Sequence, residues 1–133
     1  MNSCTNGALL KWRAGEYLRE ILLSNAEVVG MVGEHIYPCI APEDTLGDFI
    51  VYNRSKYTRE YTKFGLNADV ARVDITAISE HYDNSLDLAE LIDQVLSGEH
   101  TSDNGLRLTF KLHDSNEGFE DFKYFQTLTF DIE

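Results

Sequence analysis

The clearest alternation of apolar and polar positions runs from Val70 to Ile78. Ala71, Val73, Ile75 and Ala77 share one parity, while Arg72, Asp74 and Thr76 occupy the other. A period of two is that of a half-buried strand. After His81-Tyr82 the period lengthens, and Leu88, Leu91, Ile92 and Val95 fall on one helical stripe beside Leu86, Ala89 and Leu96. Asp83, Asn84 or Ser85 can cap that helix, and Gly98 suits the left-handed residue that ends it. A strand feeding a helix supplies two layers of a core.

The same reading extends along the chain. Leu10, Ala14, Tyr17, Leu18, Ile21 and Leu22 predict a helix over about Gly7 to Ser24. Asn25 caps a short further helix through Val32, which Gly33 ends. Ile36 to Ile40 reads as an extended segment, and Pro38, which lacks an amide donor, predicts that this strand is short or at a sheet edge. Phe49 to Asn53 is almost continuously apolar and predicts a strand near the middle of the sheet. From Arg54 to Asn67, basic and aromatic residues interleave in a long hairpin whose tip extends beyond the core, with Gly65 and Asn67 permitting the turn. Thr101 to Gly105 and Asp114 to Gly118 read as polar turns, and Leu106–His113 and the segment after Gly118 as an antiparallel pair. The prediction is one α+β domain over residues 1–133, with 1–6 disordered. It has a mainly antiparallel sheet of about five strands, two principal helices on one face and a long protruding hairpin.

Composition narrows the partners more than the fold. The chain has 133 residues and a formal net charge of −12, which opposes general affinity for nucleic acid or anionic membranes. No apolar run approaches the roughly 20 residues of a spanning helix, and the first residues lack a secretory pattern. A cytoplasmic setting is the expectation. Cys4 and Cys39, in a polar terminus and a predicted strand, read as free thiols.

Chemical motifs are missing from the pattern. His35, His81, His100 and His113 are scattered, and none has metal-ligand spacing with another His or a Cys. Glu43-Asp44 and Glu120-Asp121 are adjacent acids of the kind an acidic chain places in turns. Neither a glycine-rich phosphate loop nor a nucleophile elbow is present. These observations predict no enzyme, no cofactor, no metal and no catalytic residue. The compositional exception is the hairpin, where Arg54, Lys56, Tyr57, Arg59, Tyr61 and Lys63, with Arg72 and Asp74 on the returning strand, form a candidate interface. Three readings stay open for it: contact with an acidic neighbouring copy, stacking and phosphate contact with nucleic acid, or a solvated hairpin packed on itself.

Several segments also carry a family resemblance. They are Leu22-Leu23-Ser24-Asn25-Ala26-Glu27-Val28-Val29, Met31-Val32-Gly33-Glu34-His35-Ile36-Tyr37-Pro38, the Ala41-Pro42 step, Phe49-Ile50-Val51-Tyr52, and Val73 to Ser79 leading to Leu88–Asp93. Together they resemble the tail-completion, or tail-terminator, proteins of long-tailed bacteriophages and prophages. The resemblance implies a small α+β protein that forms a ring, commonly a hexamer, on the end of the tail tube. Such a ring caps tube growth and joins the head connector, so the tube protein, the connector and other copies of the chain are the implied partners. DNA only crosses the lumen, and no membrane is involved. Assembly in the bacterial cytoplasm and then residence at the head-proximal end of the virion tail follow from the same resemblance. The charged segment 54–64 departs from the family pattern, so its role rests on its own residues. The other class left open is a small protein-binding module of a prophage or host that forms no ring.

Overall fold

The computed structural model describes residues 11–102 and 105–133, without the side chains of 66 and 67. The expectations for 1–6, for Cys4, for the start of the first helix and for the middle of the 101–105 turn lie outside the described residues. Within them, α1 (Ala14–Leu23) buries Ala14, Leu18 and Leu22, spaced four apart on one face. Next comes α2 (Ala26–Val32), where the Asn25 side chain accepts from the amides of Glu27 and Val28. That cap satisfies two of the amides a helix start leaves open. Gly33, at φ +63, ends the helix as the sequence predicts.

A six-stranded sheet follows, one strand more than the pattern suggests. Its strands are β1 (Ile36–Pro38), β2 (Phe49–Thr62), β3 (Gly65–Ser79), β4 (Gly98–Thr101), β5 (Arg107–Glu120) and β6 (Lys123–Ile132). Their order across the sheet is β1-β2-β3-β6-β5-β4, and every neighbouring pair is antiparallel except β1–β2. The strand missed by the pattern is β4, four polar residues with no alternation to read. Its partner Arg107–Phe110 supplies the order.

Between β3 and β4, α3 (Tyr82–Leu96) packs on β3 and β6 and buries Ser85, Leu88, Ile92 and Leu96. Its N-cap position is His81 and carries no side-chain cap, contrary to the assignment to 83–85. The Ser79 hydroxyl accepts from the His81 amide, and Ser85 turns its own hydroxyl to the Tyr82 carbonyl. Helices and sheet therefore meet over one core. Ala71, Val73, Ile75 and Ala77 are fully buried, as alternation requires, opposite Leu128, Phe130 and Ile132 of β6.

Two further expectations are corrected. Phe49–Asn53 does not occupy the sheet centre: β2 stands next to the edge and is paired on both sides only at Ile50–Tyr52. Asp114–Gly118 is not a turn, because β5 continues through it, with a bulge between Leu112 and Asp114. The turn falls at Asp121-Phe122, where both residues have positive φ, 53° and 63°. Two left-handed residues are what a type I′ hairpin requires. The polar composition of 114–118 reflects exposure on an edge strand.

Candidate assembly surface

Strands β2 and β3 run on together past the rest of the sheet. The last β3 residue paired with β6 is Ala71, which faces Ile132, and beyond it Thr58–Thr62 and Gly65–Val70 have only each other. At about 3.3 Å per residue, this ribbon projects roughly 17–20 Å. A two-residue connection, Lys63-Phe64, closes it ahead of Gly65 at φ +115, so Asn67 lies in the strand. The protruding hairpin is present as the alternation of charge and aromatics predicts.

Its base is fixed by a cluster. Asp69 is buried, and its carboxylate takes Lys11 Nζ at 2.7 Å, the Lys11 amide, and the Tyr57 hydroxyl at 2.9 Å. Both charged side chains are out of water, at 8% and 0% exposure. Burying a carboxylate is tolerated only with such full pairing. Above this cluster the Tyr57 phenol accepts from Arg59 Nε at 3.0 Å, and the Arg59 guanidinium lies 5.3 Å from the ring centroid. Burial pushes the Tyr57 phenol pKa up, and the bond to Tyr57 pushes the Arg59 guanidinium up. Both side chains keep their ordinary protonation, phenol and cation.

Arg54 extends the stack on the same side. It sits 4.3 Å from the Trp12 ring centroid, 5.6 Å from that of Tyr57, and donates to the Trp12 carbonyl at 2.8 Å. Trp12 meets Tyr57 edge-on at 4.9 Å. Cation–π contacts of this kind hold a guanidinium in place while leaving it wet. Tyr61 is exposed and Lys63 stands over the Phe64 ring at the tip.

The remaining sequence-nominated residues lie on the sheet face away from the helices. Lys56 pairs with Arg72 in register, Arg72 forms a two-point ion pair with Asp131 at 2.8 and 3.2 Å, and Asp74 accepts from Thr129 at 2.7 Å. The Arg72 bonds hold the Asp131 carboxyl below the usual carboxylate range, against the opposing pull of burial. So the structure brings Arg54, Tyr57 and Arg59 together and puts Lys56, Arg72 and Asp74 on the other face. Tyr61 and Lys63 sit nearer the tip.

Sequence reading missed Lys11, Trp12 and Asp69, which fix the arm, and the full reach of the second hairpin, whose turn it put at 114–118. The second hairpin, at the opposite end of the sheet, carries Asp114, Glu117, Glu120 and Asp121 with exposed Phe119 and Phe122. Glu117 accepts from Tyr82 at 3.0 Å and from Gln126 at 3.1 Å, and the bond to Glu117 raises the Tyr82 phenol pKa. A lone aspartate among small residues, Ala68-Asp69-Val70, was the available signal for the buried anchor.

Among the described residues no group of three His, Cys, Asp or Glu could hold a metal, and no helix is long and apolar enough to cross a membrane. Cys39 is a free, exposed thiol. His100 is engaged with the Leu96 carbonyl at 2.8 Å and edge-on with Phe110.

Comparison with family models and with curated proteins finds no match. Among solved structures, a chain from the "Virion of native gene transfer agent (GTA) particle" has the same fold, with a TM-score of 0.65. That match spans 86% of this chain and 89% of the other at 16% identity, so what the two share is an α+β architecture over nearly their whole lengths.

Proposed function

We propose that this chain is a structural virion protein of a phage or prophage. It forms a ring that caps the tail tube and contributes to the joint with the head connector. The carrying observation is the near full-length fold likeness to a chain of a gene transfer agent virion. The segments that resemble tail-completion proteins support the finer assignment independently. In this reading the chain is not an enzyme and needs no cofactor. Its partners are other copies of itself, six in the commonest arrangement, together with the tube protein and the connector. DNA crosses the lumen without a specific contact, and an acidic wall would keep it from adhering. Assembly takes place in the host cytoplasm, and the product resides at the head-proximal end of the tail.

The test is to add the purified chain to growing tail tubes and image their ends. Rings on one end and tubes of arrested length support the reading. Tubes that grow past the chain, with bare ends, overturn it in favour of a protein-binding module without ring assembly. A genomic position among head and major tail genes is the second check.

A further inference from the structure

Each side of the sheet ends in a short edge strand that covers only part of its neighbour. β1 covers β2 at Ile50–Tyr52, which leaves Asn53–Thr62 paired on one side only. At the other edge β4 covers β5 at Arg107–Phe110, which leaves Lys111–Glu120 paired on one side only. No other described backbone group bonds to either stretch. A row of unpaired amides and carbonyls is a template for another strand.

The two edges are complementary in charge. Arg54, Lys56 and Arg59 outnumber Glu60 on the β2 edge, and Asp114, Glu117 and Glu120 outnumber Lys111 on the β5 edge. Charged residues on an edge normally blunt pairing. Here they repel only like edges, β2 from β2 and β5 from β5, and leave the unlike combination favourable. The match also holds face by face. Tyr57 opposite Ala71 places Arg59 on the helix side, where Glu117 also points, since it pairs opposite the inward Gln126. Lys56, opposite Arg72, and Glu120, three positions past Glu117, lie on the open side and face each other in the register that sets Arg59 opposite Glu117.

Direction agrees as well. The antiparallel pairs β2–β3, β3–β6 and β6–β5 make β2 run opposite to β5. A neighbour with its sheet facing the same way would therefore present β5 antiparallel to β2, with no flip of the subunit. The free stretches sit at opposite ends of the sheet: Glu117 is level with Ala77 of β3 and Arg59 with Asp69, so bringing the two opposite each other shifts the neighbour along the strands by about eight residues, roughly 26 Å. β1 and β4 then stand as stops at the two ends of the contact.

We propose that copies of this chain join head to tail by antiparallel pairing of the β2 edge, 53–62, with the β5 edge, 111–120, of the next copy. The inference rests on the ring reading above and gives it a specific contact. One contact made by two different surfaces repeats, and it closes into a ring when the rotation allows. Matched charges also offset the repulsion between subunits of net charge −12.

The experiment uses the full chain with Cys4→Ser and Cys39→Ser, carrying either Arg59→Cys or Glu117→Cys, and a short bismaleimide cross-linker. Light scattering on the parent chain gives its association state separately. The expected result is cross-linked dimer from the mixture of the two variants and none from either alone. A second pair, Lys56→Cys with Glu120→Cys, which the same register sets opposite each other, gives the same pattern if the first pair perturbs folding. Arg59→Glu is expected to weaken association by about tenfold, and Glu117→Arg in the same mixture to restore it. A parent that associates while neither mixture cross-links overturns the edge pairing and leaves the ring reading standing. Cross-linking of one variant with itself overturns it in favour of a two-fold contact. A parent that stays monomeric without cross-linking overturns both.

Discussion

Lys11 and Asp69, 58 positions apart, form an ion pair at 2.7 Å with both side chains withdrawn from water. The pair ties the segment before α1 to the base of the projecting ribbon. It is joined there by the Tyr57 hydroxyl, and Trp12 and Arg54 stack directly beside it. An arm with no sheet neighbour on either side thereby gains a defined direction.

Lys11→Met should destabilise the chain by about 3–5 kcal/mol, because it strands a buried carboxylate. Denaturant unfolding measures the global loss. Trp12, the single tryptophan, reports the local one, and its fluorescence transition should precede that of the backbone. Lys11→Met with Asp69→Leu should recover most of the stability, since no charge is then buried alone. Equal damage in single and double variants would mean that the pair matters for its packing.

Arg72 and Asp131 predict a pH dependence. The Asp131 carboxyl is held below its ordinary value in the folded chain, so the unfolded chain binds more protons as pH falls through the ordinary carboxylate range. The stabilisation is fully present above the unfolded value of about 3.9 and is lost as pH falls through the folded one. Urea midpoints of the parent and of Arg72→Met should therefore differ most near neutrality and converge in acid. A constant difference at all pH values would remove the ion pair from the explanation.

Phe122 sits at φ +63 in the Asp121-Phe122 turn with 87% of its surface exposed. A bulky residue in the left-handed region costs roughly 1–2 kcal/mol, and glycine avoids that cost. Phe122→Gly should raise the melting temperature by roughly 3 °C or more. If it does, the phenyl ring is carried for a contact outside the subunit, and the same variant should bind its assembly partner less well.

Gly118 lies opposite Phe125, whose ring would be 2.6 Å from an added Cβ. The ring covers the glycine of an exposed strand, a packing that also shields the backbone. Gly118→Ala should displace the ring and destabilise the β5–β6 hairpin by about 1 kcal/mol. Amide exchange at Glu117–Lys123 measures it, and unchanged exchange would show that Phe125 swings aside freely.

Sequence alone determined the elements whose periodicity serves a single buried face. The alternation over Val70–Ile78, the stripe over Leu88–Leu96 and the Asn25 cap all appear where the pattern puts them, because burial on one side leaves a regular trace. The basic hairpin was legible for a related reason, since its residues cluster locally. The tertiary structure decided what non-local partners control. β4 exists because Arg107–Phe110 offers it an edge, and 114–118 is strand because β6 pairs with it. Lys11 reaches Asp69 only after the chain has folded back over 58 residues, and no local pattern encodes such a meeting. The two free edges belong to the same class: each is defined by the residues a neighbouring strand fails to cover, and strand order is a property of the whole sheet.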